Sequence, residues 1–160
     1  MNRDEVFSKF RGPQGKRHLV EGLKAQPLVQ EEDVAEVLAT RVRLEEVPFG
    51  TTIIDQGSPD HDLVFILAGD FFVTVGRQVI SRRGAGEHVG EMAVVDTQAR
   101  RSATVTSGSD AVIARISEPD FSAIADRFPR LWRRLAQELA ERLRRATRQS
   151  KYGRPTDCAA

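Results

Sequence analysis

The sequence predicts an α+β domain: an antiparallel β-barrel or jelly roll over 42–116, with N-terminal helices over 1–41 and C-terminal helices, the last of them long, over 117–148. Three observations carry that expectation. The middle of the chain is rich in β-branched residues and phenylalanine and is broken by glycine-bearing turns at roughly eight- to twelve-residue intervals, the spacing of many short strands. The segments on either side repeat apolar residues three and four apart, which is helical spacing. A hydrophobic content of 40% over 160 residues is enough to bury one sizeable core.

Ahead of the barrel, Lys16 to Ala25 places Leu19, Val20 and Leu23 on one side of a helix, after the breaker Gly12-Pro13. Pro27 interrupts, and Glu31-Glu32-Asp33 opens a second helix with its acids at the end favoured by the helix dipole. Val34, Val37 and Leu38 supply its buried side. Candidate strands are Thr52 to Asp55, Leu63 to Ala68, Phe71 to Val75, Gln78 to Arg82, Ser102 to Thr106 and Ala111 to Ile116. Ser117 then caps a helix whose first turn holds Glu118, Pro119 and Asp120, and whose buried face is Phe121, Ile124 and Ala125. Pro129 stops it. A longer helix follows from Arg130 to Thr147, where Leu131, Leu135, Leu139 and Leu143 recur every four residues beside Trp132, Ala136, Ala140 and Ala146. That stripe is wide enough to face both the barrel and another helix. Residues 1–150 read as one domain and 151–160 as a disordered tail or linker.

Charge and composition exclude several function classes. The 24 basic and 23 acidic residues nearly cancel to +1, so bulk charge names no partner. The distribution is uneven: Arg130, Arg133, Arg134, Arg142, Arg144, Arg145, Arg148 and Lys151 face only Glu138 and Glu141, and an acidic bias lies around Glu31 to Asp62. There is no run of about 18 apolar residues, so no membrane span is expected. The opening Met1 to Gly12 lacks the apolar stretch of a signal peptide. With Cys158 as the only cysteine there is neither a disulfide framework nor a cysteine metal site, and His18, His61 and His88 are scattered. No Ser/His/Asp set or paired carboxylates suggest catalysis. The expectation is a cytoplasmic, metal-free chain that is not itself an enzyme.

Chemistry concentrates between His88 and Val105. Gly90 precedes Glu91-Met92-Ala93-Val94-Val95, a run able to form one helical turn. The glycine lets backbone approach a ligand, and the free N–H groups of such a turn make an anion cradle. Further on, Arg100 and Arg101 enter a strand, and arginine offers a planar fork of donors suited to phosphate oxygens. Glu91 is a poor phosphate ligand but a good acceptor for sugar hydroxyls. Cradle, arginine and carboxylate together fit the ribose-phosphate end of a nucleotide.

Gly90-Glu91-Met92-Ala93 followed by Arg101-Ser102-Ala103-Thr104-Val105 resembles the phosphate-binding cassette of cyclic-nucleotide-binding domains. Ile53-Ile54-Asp55-Gln56-Gly57 and Asp62 to Gly69 resemble barrel strands of that family in the right order. The likeness runs from about Val42 to Thr147 and implies the cyclic-nucleotide-binding fold. It further implies that Glu91 accepts the ribose 2′-hydroxyl, that Arg101 pairs with the cyclic phosphate, that Ser102 hydrogen-bonds it, and that backbone N–H groups near Gly90, Met92 and Ala93 complete the cradle. The usual Gly-x-Pro before the arginine is replaced by Thr97-Gln98-Ala99-Arg100, which leaves Arg100 and Arg101 as alternatives, with the Arg-Ser-Ala-Thr-Val run favouring Arg101. Leu135 to Leu143 resembles the long helix that covers the pocket and dimerises in the bacterial catabolite activator; by that likeness Arg142 and Thr147 lie near the base and the hinge lies at Phe128-Pro129.

Phe10 to Val29 and Glu138 to Arg144 are similar to the sensor halves of bacterial anti-phage, Pycsar-type effectors, in which a cyclic-nucleotide domain precedes an NAD-degrading TIR domain. This likeness implies cyclic UMP or cyclic CMP as ligand and an effector domain as output in antiviral defence. No other cofactor is expected, and the likeness of the C-terminal helix to the dimerising helix of the catabolite activator implies a homodimer through Leu135, Leu139 and Leu143. The alternative is a cyclic AMP- or GMP-responsive regulator related to transcription factors. No recognition helix follows the long helix, so direct nucleic-acid contact is not expected. The chain reads as the sensor part of a longer protein or as a stand-alone subunit.

Overall fold

In a computed structural model that describes residues 3–152, the elements run α1 (Arg3–Arg11), α2 (Gly15–Lys24), α3 (Glu32–Ala39), β1 (Arg43–Val47), β2 (Thr52–Ile54), β3 (Leu63–Ala68), β4 (Asp70–Val75), β5 (Gln78–Gly84), β6 (His88–Val89), α4 (Glu91–Val95), β7 (Thr104–Ser107), β8 (Ala111–Ile116), α5 (Glu118–Arg127) and α6 (Arg130–Tyr152). The strands form two antiparallel four-stranded sheets, ordered β1-β8-β3-β6 and β2-β7-β4-β5. This is the expected β-sandwich with helices before and after it. No helix among the described residues is long and apolar enough to cross a membrane.

Strand β3 explains how sheet and helices share one body. Successive side chains of a strand point to opposite faces. Val64 and Ile66 enter the space between the sheets with Val47, Ile54, Phe71, Val89, Val105 and Ile113. Leu63 and Phe65 point the other way, into a cluster with Leu23, Leu28, Val34, Leu38, Phe121, Leu131 and Leu135 from the helices. A strand buried on both faces must be apolar at consecutive positions, and Leu63-Val64-Phe65-Ile66 is.

Strand β1 is absent from the expected strands because only Val47 of its five residues is buried, so no apolar alternation marks it. It pairs with β8 along its whole length, and its charged side chains find partners: Glu45 with Arg43 and Arg115, and Glu46 with Arg11 of α1. Strand β7 begins at Thr104 rather than Ser102. Just before it, Arg101 exchanges backbone hydrogen bonds with the β2–β3 loop, its N–H to Ser58 O at 2.9 Å and its carbonyl from Gly57 N–H at 2.8 Å.

Helix α6 continues five residues beyond the expected Thr147, to Tyr152. Its leucine stripe divides. Leu131 and Leu135 are fully buried in the chain's own core, Leu139 packs half-buried against it, and Leu143 is 69% exposed. Leu131 and Leu135 meet both β3 and the other helices, as the width of the stripe leads one to expect, and Leu135 is thereby removed from the expected dimer contact. Trp132 packs edge-on against Phe121 at 5.6 Å and donates to Asp126 at 2.8 Å. The uneven charge resolves partly within the chain: Arg134 bridges to Glu31 and Arg130 to Asp33, both at the start of α3. Of the tail expected over 151–160, the first two residues instead continue α6, and 153–160, Cys158 included, lie outside the described residues.

Candidate ligand site

A cavity of about 230 Å³ opens between the β2-β7-β4-β5 sheet, α4 and α6. Gly90, Glu91, Met92, Ala93, Arg101, Ser102 and Arg142 all line it, so seven sequence-derived candidates are brought together. Thr147 is not among the lining residues; its hydroxyl donates to Leu143 O one turn back on α6. The walls are completed by Ile54, Val73, Ile80, Val89, Ala103 and Val105, with Ser81, Arg83 and Arg100 as further polar members.

Arg101 is the most constrained cation in the site, with its side chain 2% exposed. Nε and Nη2 donate to Asp60 Oδ2 at 3.1 and 2.6 Å, Nη2 also to Asp62 O at 2.6 Å, and Nη1 to Gly90 O at 3.2 Å. A guanidinium has five N–H groups, so one hydrogen on Nη1 is left for another acceptor. Arg100 is exposed at the rim and donates to Gly57 O at 3.0 Å. Structure therefore separates the two arginines: one is fixed within the wall, the other lies on the surface.

Gly90 permits this arrangement. Its φ of 91° is left-handed, and a Cβ there would sit 2.7 Å from both Arg101 Nη1 and Asp62 O. Gly90→Ala is expected to cost about 2 kcal/mol from backbone strain and displacement of Arg101. In a chain of this length that lowers Tm by about 4–8 °C, and an unchanged melting curve would contradict it. Past Gly90, the first turn of α4 presents N–H groups with no intrahelical acceptor.

The Arg101 guanidinium holds the Asp60 carboxyl down at about 2, below its usual 3.8. A carboxyl depressed by folding adds stability above its unfolded value and loses it as pH falls through the folded one. Wild-type stability should therefore decline more steeply between pH 4 and pH 2 than that of Asp60→Asn. Chemical denaturation across that interval reads the difference, and parallel curves would count against the pair.

Glu91 is 4% exposed, and its carboxylate carries the guanidinium of Arg142. Arg142 also bonds Glu138 at 2.7 Å, and Glu138 lies 3.1 Å from Nε2 of buried His88, without the alignment of a hydrogen bond. A polar chain thus joins β6, α6 and α4. Burial, then the nearby Arg83 charge, pushes the Arg142 guanidinium down to about 10, so it is still cationic at neutral pH. Met92 is exposed, with its sulfur 3.8 Å from the Ser102 hydroxyl, while Ala93 is buried.

Sequence reasoning passed over His88, Asp60, Ser81 and Arg83. The last pair left a signal: residues two apart on a strand share a face, and Ser81 and Arg83 stand opposite Val73 and Phe71 on the inner strand β4.

An enclosed anion end, a buried carboxylate and a helix tied across the opening define a ligand-binding regulatory domain. The chain belongs to the cyclic nucleotide-binding domain family, whose model matches residues 44–128. It is 42% identical over 139 residues to the Pycsar effector protein BcPycTIR of Burkholderia cepacia, covering 86% of this chain and 46% of that protein. It is 40% identical to the Pycsar effector protein XpPycTIR of Xanthomonas perforans, with the same coverage. The chain thus spans about half the length of these curated relatives. Its structure superposes on Thermus thermophilus catabolite activator protein with a TM-score of 0.72 at 25% identity, covering 79% of this chain and 62% of the other.

Proposed function

We propose that this chain is the receptor for a 3′,5′-cyclic pyrimidine mononucleotide, cyclic UMP or cyclic CMP, and signals through α6 to an effector domain in cytoplasmic antiviral defence. The observation that carries the reading is that one cavity joins Glu91 of α4, Arg101 of the segment before β7 and Arg142 of α6. The cyclic phosphate takes the remaining Arg101 N–H and the first-turn N–H groups of α4. The ribose 2′-hydroxyl donates to Glu91. A carboxylate has about four acceptor positions, so Glu91 holds the hydroxyl and Arg142 together, and the ligand enters with α6 fixed across the cavity. Ligand shifts α6 only by its differential affinity for that closed arrangement. Similarity to two Pycsar effector proteins supports the pyrimidine and the defence role. A homodimer contact is assigned to the outer part of α6, where Leu143 is exposed.

Parallel calorimetric titration with cyclic AMP, GMP, CMP and UMP tests the proposal. Binding of a pyrimidine in preference to the purines is the expected result. Exclusive binding of a purine would transfer the chain to the cyclic AMP or GMP regulators, and no binding of any would end the receptor reading.

A further inference from the structure

We propose that Ser81 and Arg83 of β5 read the base of the cyclic nucleotide and select an exocyclic oxo group, 4-oxo in a pyrimidine or 6-oxo in a purine, over the corresponding amino group. The inference rests on the receptor reading above and adds the chemistry of the base.

Position comes first. Arg101 and Ser102 lie on the chain just before β7, and the sheet order β7-β4-β5 sets β5 two strands away. At about 4.8 Å per strand spacing, that is roughly 10 Å across the floor of the cavity. Both Ser81 and Arg83 line the cavity from there. A nucleotide with its phosphate at Arg101 and its ribose at Glu91 extends its base in this direction.

The bonding of the pair comes second. Arg83 is half-buried, and its acceptors on the chain are Ser81 Oγ at 2.6 Å and Arg82 O at 3.3 Å, both reached from Nη1. No ion pair holds it among the described residues, whereas Arg101 has Asp60, Arg142 has Glu91, and Arg82 beside it has Asp70. The nearby Arg142 charge repels it. Its Nε and Nη2 hydrogens are therefore free to donate. Ser81 accepts from Arg83, so the hydroxyl hydrogen of Ser81 points elsewhere, and it too can donate.

This part of the wall consequently offers donors. An oxo oxygen brings lone pairs to them, while an amino group sets N–H against N–H and leaves the donors it covers unpaired. Arginine makes the same distinction when it takes the O6 and N7 acceptors of guanine. The cavity should thus prefer uracil to cytosine, and hypoxanthine to adenine, by about 10- to 100-fold within each pair.

The test uses matched ligands on the intact chain: cyclic UMP against cyclic CMP, and cyclic IMP against cyclic AMP. Affinities are measured for wild type, Arg83→Ala and Arg83→Gln. The expected result is an oxo preference in the wild type that falls to within about threefold in both variants, since glutamine supplies an acceptor as well as donors. Melting curves report that each variant is folded. Equal binding within the pairs, an amino preference, or an oxo preference that survives both substitutions overturns the base assignment while leaving the receptor reading intact. No binding of any of the four to wild type overturns both.

Discussion

Arg101→Ala is expected to raise the Kd for a cyclic nucleotide by about two to three orders of magnitude, the loss that follows when a buried charge loses its partner. The size follows from burial. An exposed arginine contributes little to an ion pair because water screens it, but the Arg101 side chain is 2% exposed and its fork is already oriented by Asp60, Asp62 O and Gly90 O. Its phosphate contact therefore costs almost no side-chain ordering on binding. The same contacts mean that alanine removes donors from three acceptors, so the variant should also melt earlier. Arg101→Lys separates the two effects, because it keeps the charge and loses the planar fork. A folded Arg101→Ala protein that binds within threefold of wild type would remove Arg101 from the phosphate site and leave Arg100, which donates to Gly57 O, as the phosphate partner.

Residues of the site that lie close together in the chain were legible, and those brought in by the fold were not. Gly90 to Ala93 and Arg101 to Ser102 belong to one continuous stretch, where spacing alone suggests a glycine, a helical turn and a cation. Asp60 comes from the β2–β3 loop, where nothing local marks it as the partner of Arg101, and Arg83 shares a face with Ser81 on β5, but only the pairing with β4 turns that face toward the cavity. His88 looked solitary because its neighbour Glu138 is fifty residues away on α6. The barrel was legible from its glycine turns, except at β6, too short to show a pattern, and at β1, an edge strand whose charged residues are paired rather than patterned. The leucine stripe of α6 was read correctly as a packing face, but Leu135 was wrongly included in the expected dimer contact. Periodicity reports which residues share a face but not where the helix leaves the body, and that point falls between Leu139 and Leu143.

Glu91→Gln carries the second large effect, and it separates a ribose contact from a structural one. Glutamine preserves the volume of a side chain that is 4% exposed, but removes the charge that holds both Arg142 and a ligand hydroxyl. A hydrogen bond to a charged acceptor contributes about 1.5–3 kcal/mol, so the ribose nucleotide should bind about 10- to 100-fold more weakly. The 2′-deoxy nucleotide lacks that donor and should lose clearly less, only the part that comes from loosening α6. Equal losses for the two ligands would instead assign Glu91 to the support of α6 alone. The polar chain from His88 through Glu138 to Arg142 supplies a second readout. With Glu91 neutral, Arg142 keeps its ion pair with Glu138 on its own helix, and α6 loses its direct ionic tie to α4. Backbone amides near Arg142 should then exchange hydrogen faster without ligand. If ribose binding acts on the helix through this one carboxylate, the ligand should raise their protection in wild type and fail to do so in the variant.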